Sequence, residues 1–152
     1  MKYKIVEMQL DRYQELINFW KNTEGLWIGD DDSYENLKVF LKRNPGLNFI
    51  AISENSIIGT LKSSHDGRRG YLHHLAVKKE FRGKGIAKAF INKCLKNLQQ
   101  AGITKDRVRV FVIDTNKSAL EFWKHNGFTE QTYDYRTFQI NNATISQLSS
   151  ES

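Results

Sequence analysis

The 152-residue chain has one cysteine, Cys94, and one proline, Pro45. A lone cysteine cannot close an internal disulfide, so a disulfide-stapled secreted domain is excluded. No apolar run approaches the roughly 18 residues of a membrane span. The N-terminal Met1-Lys2-Tyr3-Lys4-Ile5-Val6-Glu7 lacks the apolar centre of a signal peptide. There are no internal repeats and no linker-like stretch. Two common phosphate motifs are also missing. No Gly-x-x-x-x-Gly-Lys-Ser/Thr run occurs, and Gly83-x-Gly85 is followed by Lys88 where a dinucleotide fold needs its third glycine. We therefore expect a cytoplasmic single domain, long enough to bury a sizeable core.

What is present is ordinary in bulk, with 39% hydrophobic and 26% charged residues. The balance is basic: 23 Lys+Arg against 17 Asp+Glu give a net charge of +6. The densest cationic group, Lys78, Lys79, Arg82, Lys84 and Lys88, surrounds two glycines. That grouping suits a small polyanion better than a nucleic-acid duplex. The surrounding stretch reads Leu72-His73-His74-Leu75-Ala76-Val77, a short apolar strand, then a charged bend, Arg82-Gly83-Lys84-Gly85-Ile86-Ala87, and a long amphipathic helix. A strand feeding a glycine turn at a helix N-terminus aims several N–H donors and the positive dipole end at one point, an anion site.

Read in order, Lys4–Met8 is a strand. Asp11 with Gln14 makes a capping-box start for a helix carrying Tyr13, Leu16, Ile17 and Trp20. A second helix starts near Asp32 or Ser33 and stops at Asn44-Pro45-Gly46. We read Asp30-Asp31-Asp32 as capping and dipole complements rather than as a metal site. Strands at Asn48–Ser53, Ser56–His65 and Tyr71–Val77 precede a helix from about Gly85 to Gln100, whose buried stripe includes Cys94 as a packed core thiol. A strand over Asp106–Ile113, a helix over Asn116–His125 and a hairpin of Phe128–Tyr135 with Arg136–Ile140 complete the order. The result is an α+β fold: a mixed, mostly antiparallel sheet of about seven strands flanked by four helices. Residues 1–140 form the domain, and 141–152 are a polar, partly disordered tail.

Two motifs then point to a family. Arg82-x-x-Gly85-x-Ala87 resembles the pyrophosphate-binding turn of the GNAT superfamily of N-acetyltransferases. About thirty residues on, Asn116, Ala119, Gly127 and Phe128 resemble its signature Asn-x-x-Ala-x-x-x-Tyr-x-x-x-Gly-Phe. The likeness covers roughly Lys2–Ile140 and implies an acetyl-CoA-dependent N-acetyltransferase, with acetyl-CoA as cosubstrate and no metal. By that resemblance Arg82, Gly83, Lys84, Gly85, Ile86, Ala87 and Lys88 hold the pyrophosphate. Leu75, Ala76 and Val77 pair with the pantetheine arm and offer an N–H to the thioester carbonyl. Asn116 and Ala119 lie beside the arm, and Phe122 and Trp123 line its slot.

One departure stands out. Trp123 occupies the position where the family carries a tyrosine taken as the general acid. Indole cannot release a proton at neutral pH, and general acid catalysis contributes roughly 10²–10⁴-fold. We therefore expect modest turnover, with Tyr133 or Tyr135 as substitute acids. His73 and His74 are candidate bases for the acceptor ammonium. Strict alternation puts them on opposite faces, with His73 beside Tyr71 and Leu75, at the place where arylalkylamine N-acetyltransferases carry a catalytic histidine. The acceptor is a primary amine of a small molecule or peptide, met by Trp20, Trp27, Tyr34, Tyr71 and the three aspartates. The alternative is a non-catalytic acyl-CoA-binding module of the same fold. No nucleic acid or membrane partner is expected, and a homodimer stays open because such folds often dimerise.

Overall fold

A computed structural model describes residues 2–132 and 136–141. Five strands, β1 (Lys4–Glu7), β2 (Phe49–Ser53), β3 (Ser56–His65), β4 (Gly70–Val77) and β5 (Val108–Val110), form one sheet in that spatial order. The first three pairings are antiparallel and β4–β5 is parallel. Helices α1 (Tyr13–Lys21) and α2 (Tyr34–Arg43) fall between β1 and β2, α3 (Ile86–Gln100) between β4 and β5, and α4 (Lys117–His125) after β5. This is the mixed α+β fold expected, with five strands among the described residues rather than about seven. The described residues fall into two compact units divided after Leu120.

The first unit has two packed layers on its sheet. On one face Leu16, Ile17 and Trp20 of α1 and Leu37 of α2 close over Ile50, Ile52 and Ile57. On the other face lies α3, whose Phe90 is fully buried. It packs so near β3 that a Cβ at Gly59 would lie 3.1 Å from both the Phe90 ring and the Ala76 carbonyl. Each fully buried large apolar side chain in these layers contributes roughly 1.5–3 kcal/mol. Cys94 sits within the α3 layer as expected. Burial pushes its thiol up to about 11, and Sγ donates to the Leu47 carbonyl at 3.6 Å. Among the described residues no helix is long and apolar enough to cross a membrane.

Three local expectations need correcting. Asp11 does not cap α1; a 3-10 turn takes Leu10–Arg12, and Arg12 turns to Glu15 and Asn55 instead. The strand expected over Asp106–Ile113 shrinks to Val108–Val110: Lys105–Arg107 forms another 3-10 turn at its start, and its ladder with β4 ends at Val110. The closing hairpin is not formed by the described part of 128–140. Phe138 and Ile140 are exposed, and a segment with no buried face has no register specified. Tyr133 and Tyr135 lie outside the described residues.

The start of α2 follows the sequence. Ser33 Oγ accepts from the Asn36 amide at 3.2 Å, satisfying one donor of the first turn. Ser33→Ala is expected to cost about 1 kcal/mol of stability, read as a lowered urea midpoint. An unchanged midpoint would mean that the Asn36 side chain, which donates to the Asp30 carbonyl at 2.8 Å, holds the turn alone.

Candidate active site

β4 and β5 pair only from Gly70 to Leu72 and from Val108 to Val110. Beyond Leu72, β4 runs on to Val77 while β5 has ended, so the β5-side edge of β4 is left without a ladder partner among the described residues. That open edge leads through a 3-10 turn, Lys79–Phe81, into the glycine turn and α3. Gly83 and Gly85 have φ of 75° and 83°, and a Cβ on either would meet nothing within 4 Å. The turn is therefore an open cradle in the left-handed region, at the positive end of a fifteen-residue helix. Arg82 is exposed, and its Nε donates to the Val77 carbonyl at 2.9 Å, tying the turn back to the end of β4. Lys84 and Lys88 are exposed around it.

Opposite the α3 layer, the same stretch of β4 carries a bulge. Thr60 pairs with Ala76 but Lys62 pairs with His73, so β4 has one residue more than β3 there. His74 takes φ 49° at that point. The extra residue breaks alternation and corrects the expected arrangement of the two histidines. Both meet groups of the α1/α2 layer. His73 lies edge-on to Phe40, with centroids 6.4 Å apart, and stacks on Tyr71 at 6.1 Å. His74 lies edge-on to Trp20 at 4.9 Å. The bulge is pinned from below: Trp20 Nε1 donates to Thr60 Oγ1 at 2.9 Å, and that hydroxyl donates to the His74 carbonyl at 2.8 Å. Trp20 is thus a fully buried support, not an acceptor contact.

The sequence reading missed the group that anchors this region. Asp32 was expected to serve α2, but Ser33 does that, and the Asp32 carboxylate turns inward. Its Oδ1 accepts from Lys62 Nζ at 2.9 Å, while His74 Nε2 lies 3.0 Å from Oδ2 and 3.1 Å from Oδ1. Asp32 and Lys62 are only 3% and 9% exposed. Lys62 Nζ also sits 4.6 Å from the centroid of the Phe40 ring. Burial alone would raise the Asp32 carboxyl, but the bonds from His74 and Lys62 reverse this and hold it well below the usual carboxylate range. The available signal was Lys62 itself, a lysine inside the apolar run of β3, which required a buried partner. The His73 pKa is depressed too, but here burial is the cause rather than the opposing effect. Burial first, then the charge of Lys62, pushes its imidazole down to about 4.

The remaining expected residues are spread around these two features. Asn116 caps α4, Oδ1 accepting from Ala119 N at 3.2 Å, and its Nδ2 stands where a side chain on Gly25 would begin. Tyr71 stacks on Phe111 with centroids 6.0 Å apart, and Phe111 is 77% exposed. Trp27 and Tyr34 are exposed. In the second unit Trp123 packs edge-on between Phe122 at 5.2 Å and Phe128 at 4.9 Å.

A sheet that opens at one strand pair beside a glycine turn on a helix N-terminus is an anion-binding arrangement, and comparison with known proteins gives the family. The chain belongs to the acetyltransferase (GNAT) family, whose profile matches residues 9–128. Among curated relatives, it is 34% identical over 95 residues to the acetyltransferase plu1384 of Photorhabdus laumondii. That match covers 62% of this chain and 66% of the relative, just short of two thirds of its length. The fold is similar to that of the PaiA N-acetyltransferase of Thermoplasma acidophilum in complex with coenzyme A: TM-score 0.74, 20% identity, covering 88% of this chain and 94% of that one. Arabidopsis thaliana Naa50 in complex with the bisubstrate analogue CoA-Ac-MVNAL is similar too: TM-score 0.67, 16% identity, covering 87% and 86%.

Proposed function

We propose that this chain is an acetyl-CoA-dependent N-acetyltransferase that moves the acetyl group directly to a primary amine of a small molecule or peptide. The observation that carries the reading is the continuity of the open β4 edge with the Gly83–Gly85 cradle. A nucleotide diphosphate fits that cradle: its oxygens would accept from the N–H groups of the turn and of the first turn of α3, which have no intrahelical partner. Lys84 and Lys88 add positive charge. Acetyl-CoA supplies the activated acyl group. The edge at Leu75–Val77 would align the pantetheine arm, and an N–H there would donate to the thioester oxygen, stabilising the charge that grows as the amine attacks. Asn116 and Ala119 flank the arm. The coenzyme A carried by the PaiA relative and the bisubstrate analogue carried by Naa50 support this reading. Exposed Tyr34, Trp27 and Asp30–Asp31, with Tyr71, meet the acceptor. The test is thiol release from acetyl-CoA against polyamines, free peptide N-termini and aminoglycosides. Turnover with any of these is the expected result, and coenzyme A binding without thiol release would overturn it.

A second reading, a non-catalytic acyl-CoA-binding module, is favoured by one observation: Trp123 replaces the tyrosine of the family signature. Indole donates a hydrogen bond but no proton. Trp123→Tyr is expected to raise kcat on the order of tenfold, a partial recovery of the 10²–10⁴-fold typical of general acid catalysis, with KM for acetyl-CoA little changed. An unchanged kcat would mean that the thiolate, with a thiol pKa of about 8.5, leaves unaided or takes its proton from elsewhere, with Tyr133 as one source.

A further inference from the structure

We infer that His74 is the catalytic proton acceptor for the incoming amine, with Asp32 and Lys62 as its positioning residues. The inference rests on the acetyl-transfer reading above. Four observations on one side chain lead to it.

First, the tautomer is fixed by the neighbours. Asp32 is a carboxylate and therefore only accepts hydrogen bonds. His74 Nε2, 3.0 and 3.1 Å from its two oxygens, must donate to it. In the neutral ring the lone pair then stands on Nδ1, which makes no bond to Asp32. Second, the carboxylate cannot be spared for anything else. Lys62 holds Oδ1 from the other side at 2.9 Å, and the Tyr13 hydroxyl donates to the Asp32 carbonyl at 2.9 Å, so the aspartate is fixed in place. Third, of the three charged or titratable partners the imidazole is the one solvent reaches: 17% exposed, against 3% for Asp32 and 9% for Lys62.

The fourth observation is backbone strain. Among the described residues three non-glycine residues have positive φ. Glu54 and Asn55 are the two central residues of the β2–β3 hairpin, where positive φ suits the twist of the strands. His74 has no turn to explain it. It lies inside a strand, held by the buried Trp20–Thr60 relay, at the point where β4 leaves its β5 partner. Such strain persists where the surrounding structure holds a side chain re-aimed. Without the bulge His74 would point into the α3 layer.

His73 stands one residue away but in a different setting. Its Nε2 lies 3.4 Å from Ser64 Oγ between Phe40 and Tyr71, and no carboxylate among the described residues bonds to it. Among the described residues, the groups around the His74 imidazole are Asp32 from the turn before α2, which bonds it, Lys62 from β3, which bonds that same carboxylate, the neighbouring His73 of β4 and the uncharged Trp20 from α1. Asp31 adds a further carboxylate in the same neighbourhood. R–NH3+ gives one proton to His74 Nδ1, and R–NH2 forms the N–C bond at the thioester carbon. The C–S bond breaks, the second amine proton goes with the thiolate as CoA–SH, and the imidazolium passes its proton to water.

The experiment uses the intact chain, with acetyl-CoA and spermidine, an alanyl peptide and kanamycin as acceptors. His74→Gln keeps a donor for Asp32 but has no base. It is expected to lower kcat/KM by roughly 10²–10⁴-fold, with calorimetric coenzyme A affinity unchanged. Asp32→Asn should move the acid limb of the kcat/KM profile to lower pH, because it removes the charge that favours imidazolium. Lys62→Met should move it to higher pH, because it removes a repelling cation. A purely structural role would not shift the profile in opposite directions. Nitrogen-15 spectra of the wild type, recorded at a pH where the ring is neutral, should show Nε2 protonated and Nδ1 bare; this readout needs no variant to fold. If wild type turns over while His74→Gln stays within threefold of it, or if Nδ1 carries the proton, the inference is overturned and acetyl transfer stands. If wild type releases thiol with none of the acceptors, the acetyl-transfer reading fails first and the inference falls with it.

Discussion

Asp32→Ala is expected to lower the unfolding free energy by about 3–5 kcal/mol, because it leaves a buried charge without its partner. Lys62 Nζ would keep its place against Phe40 and Trp20, 4.6 and 5.6 Å from the ring centroids. Cation–π attraction of about 0.5–2 kcal/mol does not replace a lost carboxylate. For a chain of this length that loss lowers the melting temperature by roughly 6–20 °C. The paired variant Asp32→Ala/Lys62→Met decides the mechanism. It removes both charges, so it should be more stable than Asp32→Ala alone, as expected when a buried pair is replaced by apolar groups. If the double variant is instead the less stable of the two, the ion pair is not what fixes this corner. The same groups set acid sensitivity. Asp32 has a depressed folded value, so its contribution is present above its unfolded value of about 3.9 and is lost as pH falls below that. His73 is also depressed, to about 4. The unfolded chain therefore takes up that proton first, and stability declines as pH drops from about 6.5 towards 4. Urea midpoints measured from pH 8 to pH 3 should fall in these two stages, and Asp32→Ala should remove only the lower one.

How much of this was readable in advance depends on the sequence distance between partners. The β4–glycine turn–α3 unit was legible because each of its signals is local: an apolar run, two glycines, then a stripe that buries Phe90, Ile91, Cys94 and Leu98. The signature from Asn116 to Phe128 was legible for the same reason. Asp32 was not. Its partners Lys62 and His74 lie 30 and 42 residues away, and within its own segment it reads as one more acidic residue before a helix. The faces of His73 and His74 were misread because a bulge changes the period of a strand without changing its composition. The buried hydroxyl of Thr60 and the indole N–H of Trp20, which hold that bulge, give no sign of it in sequence. The hairpin expected from Phe128 to Ile140 also went too far, since Phe138 and Ile140 are exposed rather than packed on the sheet.

Gly85→Ala should weaken coenzyme A binding by roughly 10–100-fold or more, and the matched variant Gly102→Ala shows why this is not a stability effect. Both glycines flank α3, Gly85 with φ 83° before its first residue and Gly102 with φ 92° past its last. Neither has a neighbour within 4 Å of an added Cβ. A side chain at either position therefore carries the same left-handed strain, roughly 1–2 kcal/mol, and the two variants should melt at similarly lowered temperatures. Only Gly85 lies where the free N–H groups of the helix start converge. To relieve its strain the turn must rotate, and each charge-assisted hydrogen bond misaligned costs about 1.5–3 kcal/mol, where 1.4 kcal/mol is tenfold in affinity. Calorimetric titration with coenzyme A reads the difference directly. Wild type and Gly102→Ala should bind alike and Gly85→Ala weakly, while dephospho-coenzyme A, which keeps the diphosphate, should show the same rank order. Equal affinity in all three proteins would remove the diphosphate from this cradle. The open edge of β4 would then need another explanation than a pantetheine arm.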